Sequence, residues 1–232
     1  MKLEKVTEKG KITTKRWYDD ACGTALALEL VGERWALLVV RELMFGPRRF
    51  GEIRAQLAGV SANVLTQRLE GLIASGIVRK RMLPSPASVQ VYELTQWGFE
   101  SRPIFDAMVV WALRSRRHDP RLPLSPASLM MSMRALFVAG AAEGFACTAG
   151  FRFDGDGFVM RVTGGEVTVE RAAPERADFV LTSAPNDLIR VIYGRRPIAE
   201  AEADHTLAIE GNRALATRFV TLFSLPAKID LA

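Results

Sequence analysis

A switch in hydrophobic period at Gly76 constrains the fold of this chain more than any other feature. Upstream of it, apolar residues recur at spacings of three and four, as Leu65, Leu69 and Leu72 do, which indicates amphipathic helices. Downstream, over 77–94, the period becomes two around a tip rich in Pro and Ser, which indicates a β-hairpin. The first half of the chain is therefore predicted to contain helices followed by a hairpin.

Four helices are predicted before the hairpin and one long helix after it. Breaks that contain glycine separate the first three, and Ser61 is positioned to cap the start of the fourth. Thr95 is positioned to cap a helix that runs from Gln96 to about Arg117. This is the order of elements in a winged helix-turn-helix, in which one helix enters the major groove and the hairpin reaches the flanking backbone or minor groove.

The charge is divided unequally between the two halves. Residues 1–122 carry 20 Lys and Arg against 13 Asp and Glu, a net charge of +7, whereas 123–232 carry 11 against 13, a net charge of −2. Such asymmetry points to a polyanionic partner for the first half alone, although a solvated basic surface has the same composition. The predicted organisation is a flexible basic arm at 1–20, a winged helix at 21–117, a Pro-rich linker at 118–127 and a second domain at 128–232.

The second domain is predicted to be α+β with a mostly antiparallel sheet, because alternating apolar segments lie between two stretches of helical period. It is rich in Phe and Met, side chains that can line an adaptable apolar cavity. The same side chains could equally fill a core, so both interpretations stay open. The candidate cavity residues are Met133, Phe137, Phe151, Phe153, Phe158 and Met160.

The sequence offers little for catalysis or metal binding. It contains no G-x-S-x-G, H-E-x-x-H, Walker A or G-x-G-x-x-G motif, its only histidines are His118 and His205, and Cys22 and Cys147 stand far apart. We therefore expect a protein that is not an enzyme and needs no cofactor or metal. The charged N-terminus and the short apolar runs further predict a cytoplasmic protein with no membrane partner.

Residues suited to contact double-stranded DNA surround the predicted fourth helix and the hairpin. Asn and Gln side chains can pair with adenine and Arg with guanine or phosphate, while cations beside the hairpin supply the salt-dependent part of affinity. The predicted contacts are Arg48, Arg49, Ser61, Asn63, Thr66, Gln67, Arg68, Arg79, Lys80, Arg81, Ser88 and Gln90. The same arrangement could instead serve as a protein-interaction module.

Several motifs occur in the order that a known family shows over about 20–115. They are Gly32 and Trp35 at the start of the second helix, Arg-Glu-Leu followed by Gly-Pro-Arg-Arg-Phe, Leu-Thr-Gln-Arg-Leu in the fourth helix, and Tyr-x-Leu-Thr on the last strand. The segment thereby resembles the HxlR family of bacterial transcription regulators. The resemblance implies a homodimeric, DNA-binding repressor or activator.

Two further expectations come with that resemblance. The long helix 96–117 becomes a candidate dimer interface through Phe105, Met108, Val109 and Trp111, although these residues could also pack within their own domain. Cys22 lies where many family members keep a cysteine that some use to sense oxidants. Its neighbours Asp19 and Asp20 are expected to disfavour the thiolate, so a structural role for Cys22 stays open beside a redox role.

The stretch 177–223 resembles the end of a sterol-carrier-protein-like domain, with an apolar strand, a helix that contains Asp-Leu, the motif Leu-x-Ile-x-Gly and a closing amphipathic helix. Such domains enclose an apolar tunnel for lipid-like ligands. The resemblance implies that the second domain binds an apolar small-molecule effector or supports assembly. The alternative is a lipid carrier or ligand-binding protein whose first half is a protein-interaction module.

Overall fold

A computed structural model describes residues 18–230 of the chain, so most of the predicted arm at 1–20 lies outside the described residues. The first half is a winged helix. Its elements are α1 (Gly23–Val31), α2 (Ala36–Leu43), α3 (Phe50–Gln56), α4 (Ala62–Ala74), β1 (Val78–Met82), β2 (Gln90–Leu94), α5 (Gln96–Glu100) and α6 (Arg102–Leu113). Strands β1 and β2 pair antiparallel, with Val78 opposite Leu94.

Local chemistry explains how α4 begins and ends. The hydroxyl of Ser61 accepts a hydrogen bond from the amide of Val64 at 3.2 Å, which satisfies one of the free N–H groups of the first turn. Leu65 and Leu69 are fully buried in the core of the winged helix. After the helix, Gly76 has a φ of +74°, a left-handed conformation that glycine adopts without steric cost and that turns the chain into β1.

The long helix predicted from Gln96 to Arg117 is wrong in its extent. The structure has two helices, α5 and α6, with a break at Ser101, and α6 ends at Leu113. Pro103 explains the break, because proline lacks the N–H that would bond to the carbonyl of Phe99 in a continuous helix. The position is tolerated because it falls in the first turn of α6.

The second half is an α+β unit with a five-stranded sheet. Its elements are α7 (Pro126–Ala135), β3 (Cys147–Phe153), β4 (Asp156–Thr163), β5 (Glu166–Arg171), β6 (Phe179–Ser183), α8 (Pro185–Ile192), α9 (Ile198–Ala203), β7 (Leu207–Gly211) and α10 (Arg213–Phe219). The strand order is β5-β4-β3-β6-β7, and β3 and β6 alone are parallel neighbours. This confirms the prediction of an α+β fold with a mostly antiparallel sheet.

The side chains predicted to line a cavity pack against one another in the core of the sheet domain. The ring centroids of Phe151 and Phe153 are 6.2 Å apart, and that of Phe153 is 6.0 Å from Phe158. Phe137 is partly buried and the other five are buried, Met133 and Met160 completely. The structure therefore corrects the cavity hypothesis at these positions, because the rings contact neighbours instead of facing open space.

Helix α7 begins at Pro126, inside the segment predicted as linker, and it joins the two halves. The hydroxyl of Ser125 caps it by accepting from the amide of Ser128, and donates to the buried carboxylate of Glu42 in α2 at 2.8 Å. Met131 belongs to the core of the winged helix, whereas Met133 belongs to the core of the sheet domain. The two domains are consequently in direct contact rather than connected by a free tether.

Candidate DNA-binding surface

The open face of α4 carries short polar side chains. Asn63, Thr66 and Gln67 are exposed, as the sequence predicted, and their amides and hydroxyl are the groups that read base edges in a major groove. Ser61 is exposed as well, but its oxygen is already engaged as the helix cap. These residues form a polar surface on the helix that follows the turn after α3.

Arg68 does not share that face, contrary to the prediction. Its guanidinium lies 3.2 Å from the carboxylate of Glu33, between α1 and α2, and only 23% of its side chain is exposed. The spacing explains this position, because 68 stands three residues after Leu65 and four before Leu72, on the buried stripe of the helix. Arg68 is therefore held against its own domain.

The hairpin presents two arginines around one buried carboxylate. Glu93 on β2 accepts from the Nε groups of Arg79 and Arg81 on β1, at 2.8 and 2.9 Å, while both arginines keep much of their side chains in solvent. Lys80 lies on the other face of β1, with Nζ 5.9 Å from the ring centroid of Tyr92. Since one carboxylate faces two guanidinium groups, the hairpin retains positive charge.

The remaining predicted contacts lie at the tip and base of the hairpin. Ser88 and Gln90 are exposed near the tip, and the amide of Gln90 donates to the hydroxyl of Tyr92 at 3.3 Å. At the base, the backbone of Arg48 pairs with that of Tyr92 through two hydrogen bonds. This pairing brings the start of α3, with exposed Arg49, beside the hairpin.

The side chain of Arg48 faces the second domain, which corrects its assignment to DNA. Its guanidinium forms an ion pair with Asp156 on β4, and Asp156 also accepts from Arg171 at 2.9 Å. Arg171 in turn donates to the carbonyl of Phe45, whose ring packs edge-on against Phe158. Only 13% of the Arg48 side chain is exposed, so this cation serves the interdomain contact. The partner of Arg48 is 108 residues away and in the other domain, so no local pattern around Arg48 indicates it.

An apolar stripe on α6 is left uncovered. Met108 and Trp111 are 42% and 77% exposed, and Ile104, four residues before Met108, is also exposed. Val109 is half-buried, whereas Phe105 is buried in the core of the winged helix and is removed from the predicted dimer interface. Ile104 was not among the predicted interface residues, although its helical spacing to Met108 indicates that it shares their face.

Cys22 lies at the N-cap of α1 and is exposed. Its sulfur accepts from the amide of Thr24 at 3.4 Å, and this bond, together with the amide of Ala25, lowers the pKa of the thiol. The expectation that neighbouring carboxylates would disfavour the thiolate is therefore wrong in direction. The carboxylate of Asp20 instead accepts from the amide of Cys22 at 2.9 Å.

Comparison with known proteins agrees with this geometry. A family model described as HxlR-like helix-turn-helix matches residues 30–119, and a model of the SCP-2 sterol transfer family matches residues 140–224. The HTH-type transcriptional regulator YodB of Bacillus subtilis is 36% identical over 86 residues, which cover 37% of this chain and 77% of YodB. The chain belongs to the HxlR-like helix-turn-helix family.

Other HxlR-like relatives match the same half of the chain. An uncharacterized HTH-type transcriptional regulator of Mycobacterium tuberculosis is 40% identical over 95 residues, which cover 41% of this chain and 58% of that relative. A solved structure of YodB from B. subtilis in its reduced form is 33% identical, covers 42% of this chain and 98% of that one, and has a TM-score of 0.38. The curated relatives are transcription regulators, which supports a DNA-binding regulator.

Two observations bear on other kinds of site in this HxlR-like chain. Across residues 18–230, no helix is long and apolar enough to cross a membrane. Within the same described range, no group of three or more His, Cys, Asp or Glu side chains is arranged so that it could hold a metal ion.

Proposed function

We propose that the chain is a homodimeric transcription regulator that inserts α4 into the major groove and lays the β1–β2 hairpin along the adjacent backbone. The observation that carries this proposal is the exposed polar face of Asn63, Thr66 and Gln67, on the helix that leads directly into a positively charged hairpin. Amides on α4 supply base readout, and the cations of the hairpin and of Arg49 neutralise phosphates.

The uncovered stripe of α6 supports the homodimer. Ile104, Met108 and Trp111 recur at four and three residues, so they share one face of the helix, and Trp97 on α5 is also half exposed. Large exposed apolar side chains in one patch mark an interaction surface. A second copy of the chain would bury the same stripe on both partners and present two α4 helices to a two-fold symmetric operator.

A salt titration tests the proposed DNA contact. Operator duplexes are first selected from random sequence with the full chain, and affinity is then measured by fluorescence anisotropy between 50 and about 300 mM salt. Lys80→Ala should reduce the slope of log affinity against log salt by about one, because one phosphate contact is lost. Arg161→Ala removes an exposed arginine from β4 in the second domain and is the matched control, with no change expected.

The outcome also separates the proposal from its main rival. Affinity that is weak and insensitive to salt in the parent protein would contradict DNA binding by this surface. It would favour the lipid carrier whose first half docks proteins.

We further propose that Cys22 is a reactive thiol whose modification alters DNA binding. Its exposure and its lowered pKa support this role, since the thiolate is the form that oxidants and electrophiles attack. Oxidation with a mild peroxide would convert the Cys22 thiolate to a sulfenate as the peroxide is reduced to water or hydroxide. Operator affinity that stays the same after Cys22 is shown by mass spectrometry to be oxidised would overturn this second proposal.

A further inference from the structure

A cleft of about 220 Å³ lies where the two domains and the connecting segment meet. It is bounded by the end of α6, by residues 118–124, by α7 and α8, and by the chain after α10. Its walls are mostly apolar and come from all of these segments. The apolar wall residues are Leu113, Leu122, Leu124, Ile189 and Leu225.

Two hydroxyl groups provide a polar spot in this apolar surface. Ser132 Oγ and the Tyr193 hydroxyl are 3.0 Å apart and share one hydrogen bond. Burial raises the pKa of Tyr193, so both hydroxyls keep their protons at neutral pH. Each hydroxyl carries one O–H donor, and the bond between them uses only one of the two donors. Within residues 18–230, neither hydroxyl has a second hydrogen-bond partner. One O–H donor is therefore left over among the residues that line the cleft.

The titratable side chains near the cleft already have hydrogen-bond partners or are shifted toward the neutral form. Desolvation, together with the ammonium of Lys228, lowers the pKa of His118, which favours the neutral ring. The Asp119 carboxylate is held by Arg121 through two contacts of 2.9 Å. Lys228 itself donates to two backbone carbonyls. An anionic ligand would have to compete with two backbone carbonyls for the Lys228 ammonium, and any charged ligand would lose hydration on entry.

We propose that this cleft binds a compact, uncharged and mainly apolar molecule whose carbonyl or ether oxygen accepts a hydrogen bond from the Ser132–Tyr193 hydroxyl pair. The volume is below the roughly 300 to 1,000 Å³ of pockets for drug-sized ligands, which indicates a molecule of about ten non-hydrogen atoms. The proposed site is this cleft and not the region around Phe151 and Phe158, where the side chains are buried against one another.

The cleft adjoins the contacts that hold α6. Leu113 is both a wall residue and the last residue of α6, and its carbonyl accepts from Lys228 Nζ at 2.8 Å. Arg134 of α7 pairs with Asp106 of α6 at 2.7 Å. A ligand between these elements would change DNA affinity if it bound the DNA-competent arrangement of α6 more or less tightly than the other. This regulatory step, unlike binding itself, rests on the proposed function.

The binding site is tested with 4-fluoroacetophenone, an apolar ring with one carbonyl, titrated into the full chain and followed by fluorine NMR. Saturable binding is expected. Leu122→Trp should abolish it by blocking the cleft, and this change is mild for folding because Leu122 is 65% exposed. Met82→Trp, at a residue of β1 that is 61% exposed and does not line the cleft, is the matched control and should bind as the parent does. Binding that is not saturable, or that survives Leu122→Trp, would overturn the proposal.

The role of the hydroxyl pair is tested separately. Tyr193→Phe and Ser132→Ala each leave one hydroxyl free to donate, so each single variant should bind the ketone nearly as well as the parent. The double variant removes the donor and should bind about threefold to tenfold more weakly, as expected for one neutral hydrogen bond. Binding of 4-fluoroethylbenzene, which has no acceptor oxygen, should not change. If the double variant lost the same affinity for both probes, the assigned hydrogen bond would be wrong, and the loss would reflect a changed shape of the cleft.

The regulatory step has its own readout. Saturating 4-fluoroacetophenone should shift operator affinity of the parent and leave that of Leu122→Trp unchanged. If the probe binds and the chain fails to bind any DNA, the proposed function fails while the ligand site stands. If the chain binds DNA but not the probe, the ligand site fails while the proposed function stands.

Discussion

Arg48 in the loop before α3 forms an ion pair with Asp156 on β4, so a residue from the basic half of the chain is neutralised by the acidic half. The backbone of the same arginine pairs with Tyr92 at the base of the hairpin. A single residue thus contacts the wing through its main chain and the second domain through its side chain. Arg48 therefore helps to fix the orientation of the proposed DNA-binding surface relative to the second domain, together with the contacts of α7.

The ion pair should contribute strongly to stability. Asp156→Asn keeps the volume of the side chain but leaves Arg48 and Arg171 without their shared counterion in a largely buried site. Loss of one partner of a buried pair costs on the order of 3 kcal/mol, so the free energy of unfolding in urea should fall by about that amount. Arg161→Gln breaks an exposed pair with Glu170 and should cost less than about 1 kcal/mol. If the two variants lowered the free energy of unfolding equally, Asp156 would contribute no more to stability than an exposed ion pair does.

Sequence recognition should depend on Gln67 and not on Arg68. Gln67→Ala removes an exposed amide and should weaken specific operator binding by about 1–3 kcal/mol while binding to a scrambled duplex stays nearly the same. Arg68→Ala removes the contact with Glu33 and should act on folding stability more than on base preference. Anisotropy titrations with both duplexes measure the difference. If Arg68→Ala alone relaxed the base preference, the assignment of the two residues would be reversed.

The oligomeric state should respond to Trp111 and not to an equally apolar residue elsewhere. Trp111→Glu places a charge on the uncovered stripe, where 77% exposure of the indole means that the monomer core is not disturbed. The variant should sediment as a monomer in analytical ultracentrifugation, and it should bind operator more weakly. Val138→Glu changes an exposed apolar residue of the second domain and should remain dimeric. If the Trp111→Glu variant remained a dimer, the dimer interface would have to lie elsewhere on the chain.

Phe105 offers a contrast on the same helix. It is 6% exposed and packs in the core, so Phe105→Ala should destabilise the fold by about 3–5 kcal/mol. Thermal unfolding followed by circular dichroism measures this effect. A variant of unchanged stability but altered oligomeric state would return Phe105 to the interface.

The two cysteines should differ sharply in reactivity. An ordinary cysteine thiol has a pKa of about 8.5. Hydrogen bonds from backbone amides lower the pKa of Cys22, so its thiolate forms at a lower pH than that of an ordinary thiol. Burial raises the pKa of Cys147 to about 12, so this thiol stays protonated and shielded. Alkylation with iodoacetamide between pH 6 and 9, read by peptide mass spectrometry, should label Cys22 first, and Cys22→Ser should leave the folded chain nearly unlabelled. Rapid labelling of Cys147 in the folded protein would contradict this order.

The limits of sequence reasoning follow from how far apart the interacting residues stand. The stripe of α4, its Ser61 cap and the period-two hairpin depend on neighbours within a few residues, and all three were predictable. The break at Pro103 was also readable, because proline restricts the backbone locally, but one helix was predicted from the apolar stripe that continues across it.

Long-range contacts were beyond such patterns. The partner of Arg48 is 108 residues away, and no local period encodes the register of β4 against the winged helix. The Phe-rich sheet posed a different problem, since composition is the same for a packed core and a lined cavity. The distances between Phe151, Phe153 and Phe158 separated the two interpretations, and these depend on the pairing of β3 with β4.

Helix α7 sets a condition on how such a protein can be cut or recombined. Met131 fills the core of the winged helix while Met130 and Met133 fill that of the sheet domain, so different faces of one helix serve two hydrophobic interiors. A DNA-binding fragment that ends at 117 would lose Met131 and expose the cavity beneath it, and a sheet domain that begins at 128 would carry Met131 as an apolar surface residue. A different second domain could replace this one only if one of its side chains filled the space that Met131 occupies in the core of the winged helix. The two halves match different sequence families, but they cannot be separated without disturbing the packing of α7 in both cores.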